Sequence, residues 1–240
     1  MTLSDSELNK VIFLDIETVP QQKEFELLNE EQKKLWEQKA KFDSAYKSGE
    51  ISLSDTYQRA GIYAEFGKII CISFGYVALE KGQRELRIKS ISDKEEKNLL
   101  SKLLKLIEGF DKETLLCAHN GKEFDFPYIC RRLLINGLKI PKILDLQNKK
   151  SWEVKHLDTM ELWKFGDYKH YTSLDLLANI FNIESSKKEM DGSMVGKVYY
   201  EENNLKKIVE YCELDVWVLA NVFLKLNSMD TIGKAQTKFI

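Results

Sequence analysis

Lys10-Val11-Ile12-Phe13-Leu14-Asp15-Ile16-Glu17 is apolar from Val11 to Leu14 and then acidic at alternate positions. Apolar side chains on both faces mark a central strand covered from both sides. Side chains alternate along a strand, so Asp15 and Glu17 project with Val11 and Phe13 while Ile16 points the other way. The two acids are expected to end the strand and to share one small volume. Left bare, two such carboxylates repel and one takes up a proton; a hard divalent cation held between their oxygens relieves this. An isolated D-x-E is more commonly a pair of exposed strand-end acids, so the rest of the chain has to decide between the two readings.

The chain around this strand has 240 residues, 43% of them apolar, enough for a continuous core. Its 36 basic side chains nearly cancel 38 acidic ones, leaving a net charge of −2. A protein that coats a phosphate backbone carries a basic excess, whereas an enzyme that holds a few nucleotides briefly needs none. Cys71, Cys117, Cys130 and Cys212 each sit alone in largely apolar segments with no C-x-x-C pair, and read as buried reduced thiols. The first residues, MTLSDSELNK, lack a basic and then apolar leader, and no apolar run approaches the ~20 residues that span a bilayer. A cytoplasmic protein without membrane contact is expected.

The expected architecture is one α/β domain spanning 1–240, with a mixed central sheet of about five strands and helices on both faces. Residues 22–60 are charged and mostly polar, with a helical stretch at about Asn29 to Lys41, and read as a mostly helical insertion on the domain's edge. Gly67 to Val77 and Glu85 to Ile91, separated by Lys81 and Gly82, read as a hairpin. Leu99, Leu100, Leu103, Leu104 and Ile107 follow the helical period until Gly109. Thr114 to Ala118 reads as a short buried strand, followed by a polar loop and a helix ending near Asn136-Gly137; Leu157 and Thr159 suggest another short strand. Ser173 starts a helix, and a longer one runs from about Asn204 to Leu226.

Two further acids stand where chemistry could use them. Asp125 closes His119-Asn120-Gly121-Lys122-Glu123-Phe124-Asp125, at the change from strand through loop to helix. The first turn of a helix stabilises an anion by its dipole, so a structural role alone would account for it. Asp215 lies in Tyr211-Cys212-Glu213-Leu214-Asp215 inside the last helix, where positions four apart share a face. An aspartate within a long apolar-striped helix is costly to bury unpaired, so it needs either a partner or the solvent edge.

Together, D-x-E at Asp15-Ile16-Glu17, N-x-x-x-F-D at Asn120 to Asp125 and Y-x-x-x-D at Tyr211 to Asp215 resemble the three motifs of the DnaQ-like (DEDD) exonuclease superfamily, whose fold is ribonuclease H-like. More closely, the chain resembles stand-alone exonucleases related to the proofreading domain of family B DNA polymerases. That likeness extends through Ser151-Trp152-Glu153, His156-Leu157-Asp158, Ser173 to Leu177 and Asp191 to Val195, and is weakest in the 22–60 insertion.

The resemblance implies 3′-to-5′ hydrolysis of terminal phosphodiesters by two divalent ions, Mg2+ or Mn2+, with Asp15, Glu17, Asp125 and Asp215 as ligands. It further implies that Asp15 bridges the ions, that Glu17 and Asp215 complete the site nearer the attacking water, and that Asp125 holds the other through water. Superfamily members carry either a tyrosine four residues before the last aspartate or a histidine five before it; position 210 is Glu and position 211 Tyr, so Tyr211 is expected to orient the water. Asn120, Phe124 and Thr18 are candidate contacts to the 3′-terminal nucleotide, Phe124 equally a core residue.

The implied partner is a single-stranded nucleic-acid 3′ end, DNA favoured, with a replication or repair protein as a further candidate. A 3′-5′ exoribonuclease or oligoribonuclease, and a nucleic-acid-binding proofreading subunit with little turnover of its own, are the alternatives. His119 reads as a packed loop histidine. His170-Tyr171-Thr172-Ser173-Leu174-Asp175 has the histidine-type spacing, but Thr172 or Ser173 as helix cap and Asp175 as a first-turn acid account for it. The loop Tyr168-Lys169-His170-Tyr171 mixes aromatics and charge, and Lys149-Lys150, Lys187-Lys188 and Lys206-Lys207 could steer phosphates, although paired lysines are usually plain surface.

Overall fold

The computed structural model describes residues 4–167, 171–187 and 190–240; the loop at 168–170 with His170, and Lys188, lie outside them. The chain forms α1 (Asp5–Leu8), β1 (Val11–Pro20), α2 (Glu30–Ala40), α3 (Ser44–Ser48), α4 (Leu53–Tyr57), β2 (Gly67–Glu80) and β3 (Gln83–Ser92). It continues through α5 (Glu96–Glu108), β4 (Leu115–Ala118), α6 (Asp125–Ile135), β5 (Leu157–Asp158) and α7 (Thr159–Lys164). The last elements are α8 (Leu174–Ile180), α9 (Val195–Tyr200), α10 (Leu205–Leu226) and β6 (Thr237–Phe239).

Among the described residues one mixed sheet runs in the order β5-β4-β1-β2-β3-β6. β1 pairs antiparallel with β2 and parallel with β4, and β2 turns back into β3 through Lys81 and Gly82, at φ 50° and 80°. Two left-handed residues in a row are what a tight two-residue hairpin turn requires. The sheet has one strand more than the five or so expected: β6, only three residues long, adds to β3 in parallel and is too short to show a period of its own. β1 is also longer than expected. It does not end at the two acids but continues through Thr18 and Val19 to Pro20, because ladder pairing is a backbone matter that acidic side chains pointing off the sheet do not interrupt.

The alternation along β1 divides the core. Val11 and Phe13 face α10, where the Phe13 and Phe223 rings meet edge-on at 5.4 Å between centroids, with Val216 in the same cluster. Leu14 and Ile16 face the opposite side, packed with Leu99, Leu100 and Leu103 of α5 and Phe126, Ile129 and Leu133 of α6. Asp15 and Glu17 are therefore on the α10 side of the sheet. α10 lies close there: a Cβ at Gly75 of β2 would stand 2.7 Å from Val216 Cγ1, so only glycine lets the helix approach so nearly.

Beside Glu17 the ladder slips, because Glu17 pairs with Cys71 but Thr18 pairs with Ile69, leaving Ile70 as an extra residue in β2. The Ile69 N–H donates instead to Glu96 Oε1 at 2.8 Å. Glu96 is locked in turn by the Arg132 guanidinium, with both side chains almost wholly buried, and Arg132 also donates to the Ala64 carbonyl at 2.8 Å.

Within residues 22–60, α2 and α4 build a small aromatic cluster that Tyr63 and Phe66 complete. Trp36, 2% exposed, meets Tyr57, Tyr63 and Phe66 edge-on, and its Nε1 donates to Thr56 Oγ1 at 2.9 Å. Trp36 and Ala40 are the buried residues of α2, and Leu35 is half exposed. The described residues contain no helix long and apolar enough to cross a membrane.

Candidate active site

β1 brings Asp15 and Glu17 to the sheet's α10 face at the ladder slip. Asp15 Oδ2 accepts the Cys212 thiol at 3.3 Å, and one ligand atom each from Asp15, Glu17 and Cys212 lie within 4.8 Å of one another. Glu17 is 7% exposed and accepts no hydrogen bond from any described residue. Burial, then the charges of Asp215 and Asp125, push the Asp15 carboxyl well above the usual carboxylate range; burial, then Asp15 and Asp215, do the same to Glu17.

α10 supplies Tyr211, Cys212 and Asp215 from one turn, where positions four apart overlie each other. Glu213 points elsewhere and accepts from Ser90 Oγ at 2.7 Å. Asp215 accepts hydrogen bonds from Ser186 Oγ and the Tyr211 phenol. Its pKa is nevertheless raised, because burial outweighs those bonds and the Lys187 charge. The Tyr211 phenol is pushed up strongly by burial and then by the negative Asp215, Glu17 and Asp15, so it holds its proton throughout the working range.

Asp125 opens α6, as the first-turn reading requires, and is 4% exposed. The register of β4 beside Val11 to Phe13 lets the following loop deliver Asp125 alongside β1, where it accepts the Ile16 N–H. Burial and the neighbouring Asp158 charge raise its pKa to about 7 against those backbone bonds.

The loop itself is shaped by Asp158, which is 2% exposed. It accepts the Asn120 and Lys122 N–H groups at 2.9 and 3.2 Å while capping α7 through Met160 N–H at 3.0 Å. Asn120 takes φ +61°, and its Oδ1 is the buried side-chain atom without a hydrogen-bond partner among the described residues. Phe124 is half buried against Tyr128, with centroids 5.4 Å apart, and Thr18 hydrogen-bonds that same Tyr128 phenol. His119 bonds Thr159 Oγ1 at 2.9 Å and the Thr172 carbonyl at 2.8 Å, which fixes the ring away from the acids. Ser173, not Thr172, caps α8, and Asp175 accepts the Ser185 hydroxyl.

Asp15, Glu17, Asp125, Tyr211 and Asp215 thus come together from β1, α6 and α10, while Thr18 follows Glu17 in the chain, Phe124 precedes Asp125 and Asn120 lies in the loop before α6. The donor set suits hard divalent cations: Glu17 and Asp125 are buried, Asp15 and Asp215 partly so, the neighbouring acids raise the pKa of Asp15 and Glu17, and Glu17 accepts no hydrogen bond among the described residues. The residue reading missed Cys212 as a partner of Asp15, Ser186 on Asp215, and Asp158 as the anchor of the Asn120 loop.

A mixed sheet with α10 across one face and α5 and α6 on the other, and acids gathered at its centre, defines an α/β protein of the ribonuclease H-like type. A family described as a predicted 3′-5′ exonuclease related to the exonuclease domain of PolB matches residues 62–237, and the chain belongs to that family. The match includes Asn120 to Asp125 and Tyr211 to Asp215 but begins after β1; Asp15 and Glu17 join the site by geometry. Among solved structures the chain is similar to the family B DNA polymerase of the hyperthermophilic archaeon Pyrobaculum calidifontis, at 10% identity and a TM-score of 0.50, over 91% of this chain and 26% of the polymerase chain. The chain spans about a quarter of that polymerase's length, and the likeness is one of fold. No curated protein matches the chain.

Proposed function

We propose that this chain is a divalent-metal-dependent 3′-to-5′ exonuclease that removes nucleotides from single-stranded DNA ends, the whole of 1–240 acting as one domain with the 22–60 insertion riding on it. The observation that carries this reading is the meeting of four carboxylates, Glu17 and Asp125 buried and Asp15 and Asp215 partly buried, with the buried Tyr211 phenol, from three separate elements. Gathering four acids, two of them buried, is costly unless something positive binds among them, and the family's description as a predicted 3′-5′ exonuclease supports reading the cluster as a phosphodiesterase site.

Asp15, Glu17, Asp125 and Asp215 would hold two Mg2+ or Mn2+ ions. When bound, these ions supply Lewis-acid activation of water and neutralise charge developing on the scissile phosphate. Tyr211 stands beside Asp215, and its phenol would orient the attacking water by hydrogen bond; it need not be the base, because a bound metal would itself acidify that water. Asn120 Oδ1 offers an unpaired acceptor to the 3′-terminal nucleotide, Phe124 offers the exposed part of its ring to base or sugar, and Thr18 borders the same space.

DNA is favoured because the polymerase neighbour is a DNA enzyme. The test uses 5′-labelled single-stranded DNA and RNA with Mg2+, Mn2+ or chelator, and an Asp15→Ala control. A ladder shortening from the 3′ end, lost with chelator and in the control, is expected on DNA. Stronger shortening of RNA moves the substrate to RNA, and no metal-dependent product on either polymer overturns the proposal.

A further inference from the structure

The four acids do not complete the donor set at this site. Cys212 Sγ lies 3.3 Å from Asp15 Oδ2 and 3.6 Å from the Asp15 carbonyl, wholly buried, on the helix turn that also carries Tyr211 and Asp215. We propose that Cys212 Sγ, with the Asp15 and Glu17 carboxylates, forms a mixed sulfur and oxygen site for a thiophilic divalent cation such as Zn2+ or Cd2+. The proposal rests on the reading of Asp15 and Glu17 as metal ligands given above.

Three observations carry it. First, the ligand atoms of Asp15, Glu17 and Cys212 lie within 4.8 Å of one another, so one ion can reach all three. Second, Glu17 is 93% buried, directed into this cluster, and without a donor among the described residues. Third, the spacing suits the chemistry. Zinc bonds of ~2.3 Å to sulfur and ~2.1 Å to oxygen, set tetrahedrally, separate sulfur from oxygen by ~3.6 Å. Cys212 Sγ and Asp15 Oδ2 stand at 3.3 Å and need move apart only slightly.

A hard ion such as Mg2+ demands octahedral oxygen and does not take sulfur, so with Mg2+ the thiol keeps its proton and remains a hydrogen-bond donor to Asp15. A thiophilic ion replaces that hydrogen bond: the metal–sulfur bond forms as the S–H bond breaks and its proton passes to the buffer. Asp15 and Glu17 are then committed to a tetrahedral ion, and the octahedral ions that the exonuclease reaction needs are displaced. Thiophilic ions are accordingly inhibitors of the enzyme.

The full chain, reduced and metal-free, is titrated with Cd2+ while the thiolate-to-cadmium charge-transfer absorption is followed in the ultraviolet. Cys71 is the neighbouring thiol and its Ser variant is the control. The band is expected to saturate at one equivalent in the unmodified chain and in Cys71→Ser, to vanish in Cys212→Ser, and to need at least tenfold more Cd2+ in Glu17→Gln. Far-ultraviolet circular dichroism checks that each variant is folded. Absence of the band from the unmodified chain, its survival in folded Cys212→Ser, or its loss in folded Cys71→Ser overturns the proposal. Mg2+-dependent strand shortening in the same preparations separates the two readings: a Cys212-dependent band without shortening keeps the ligand set and removes the exonuclease, whereas shortening without the band does the reverse.

Discussion

Tyr211 illustrates how much one residue's role depends on the charges around it. A free phenol titrates near pH ~10, but in the metal-free protein burial and three neighbouring carboxylates drive this one upward, which favours its proposed role as a donor. Tyr211→Phe removes that donor while keeping the ring in the core. The expected loss is ~10- to 100-fold in kcat with KM nearly unchanged, since a hydrogen bond to a charged or activated group contributes ~1.5–3 kcal/mol. Steady-state kinetics with saturating Mg2+ decide it, and full retention of kcat would remove the role. The Tyr211 and Asp215 pair was legible in the sequence because a spacing of four needs only a helix to become a contact. Cys212 and Asp158 were not. A cysteine in an apolar segment reads as core, and only the packing of α10 on β1 sets it against Asp15, 197 residues away. Asp158 is a short-range helix cap in sequence, while its bonds to Asn120 and Lys122 reach back 38 and 36 residues.

At the scale of elements, the position of the acids depends on a defect in the sheet. The extra residue Ile70 leaves the Ile69 N–H without a ladder partner, and Glu96 of α5 accepts it while Arg132 of α6 neutralises Glu96. The slip beside Glu17 is thereby fastened to both helices of the opposite face. Glu96→Gln strands the Arg132 guanidinium in a site 4% exposed, and removing one partner of a buried ion pair costs ~3–5 kcal/mol. In a domain of this size that lowers the thermal midpoint by roughly 6–20 °C. Glu96→Leu combined with Arg132→Leu, which strands no charge, is expected to recover much of the loss. Calorimetry on the single and double variants checks this, and equal losses would deny the pair its structural role. The apolar periods of β1, β2, β3, α5 and α10 were open to reading because each element is buried along a face or on both. The slip, β6 and the Trp36 cluster were not, because a bulge, a three-residue edge strand and a helix with two buried side chains leave no period.

Across the whole molecule, four acids from three elements converge beside the central strand β1, so folding and the proposed cation binding are expected to be thermodynamically coupled. Each acid's pKa is raised in the folded state, Asp125 to about 7 against ~3.9 for an unfolded aspartate. A raised folded pKa means that folding takes up protons. The stability it contributes is full below about pH 4 and is lost as pH climbs through about 7, where the carboxylates must ionise beside one another. In the proposed site divalent cations would replace those protons, so their effect is expected to have the opposite slope. At 100 times its dissociation constant a bound ion adds ~2.7 kcal/mol, or ~5–10 °C in a domain of this size. Thermal melts with Mg2+ or chelator are therefore expected to differ by that amount at pH 8 and to converge at pH 5, where protons hold the site. In Asp125→Asn, which cannot ionise, the fall of the metal-free melting temperature between pH 4 and 7 is shallower. An equal Mg2+ effect at both pH values, or none at pH 8, would show that the four acids do not act together as a cation site.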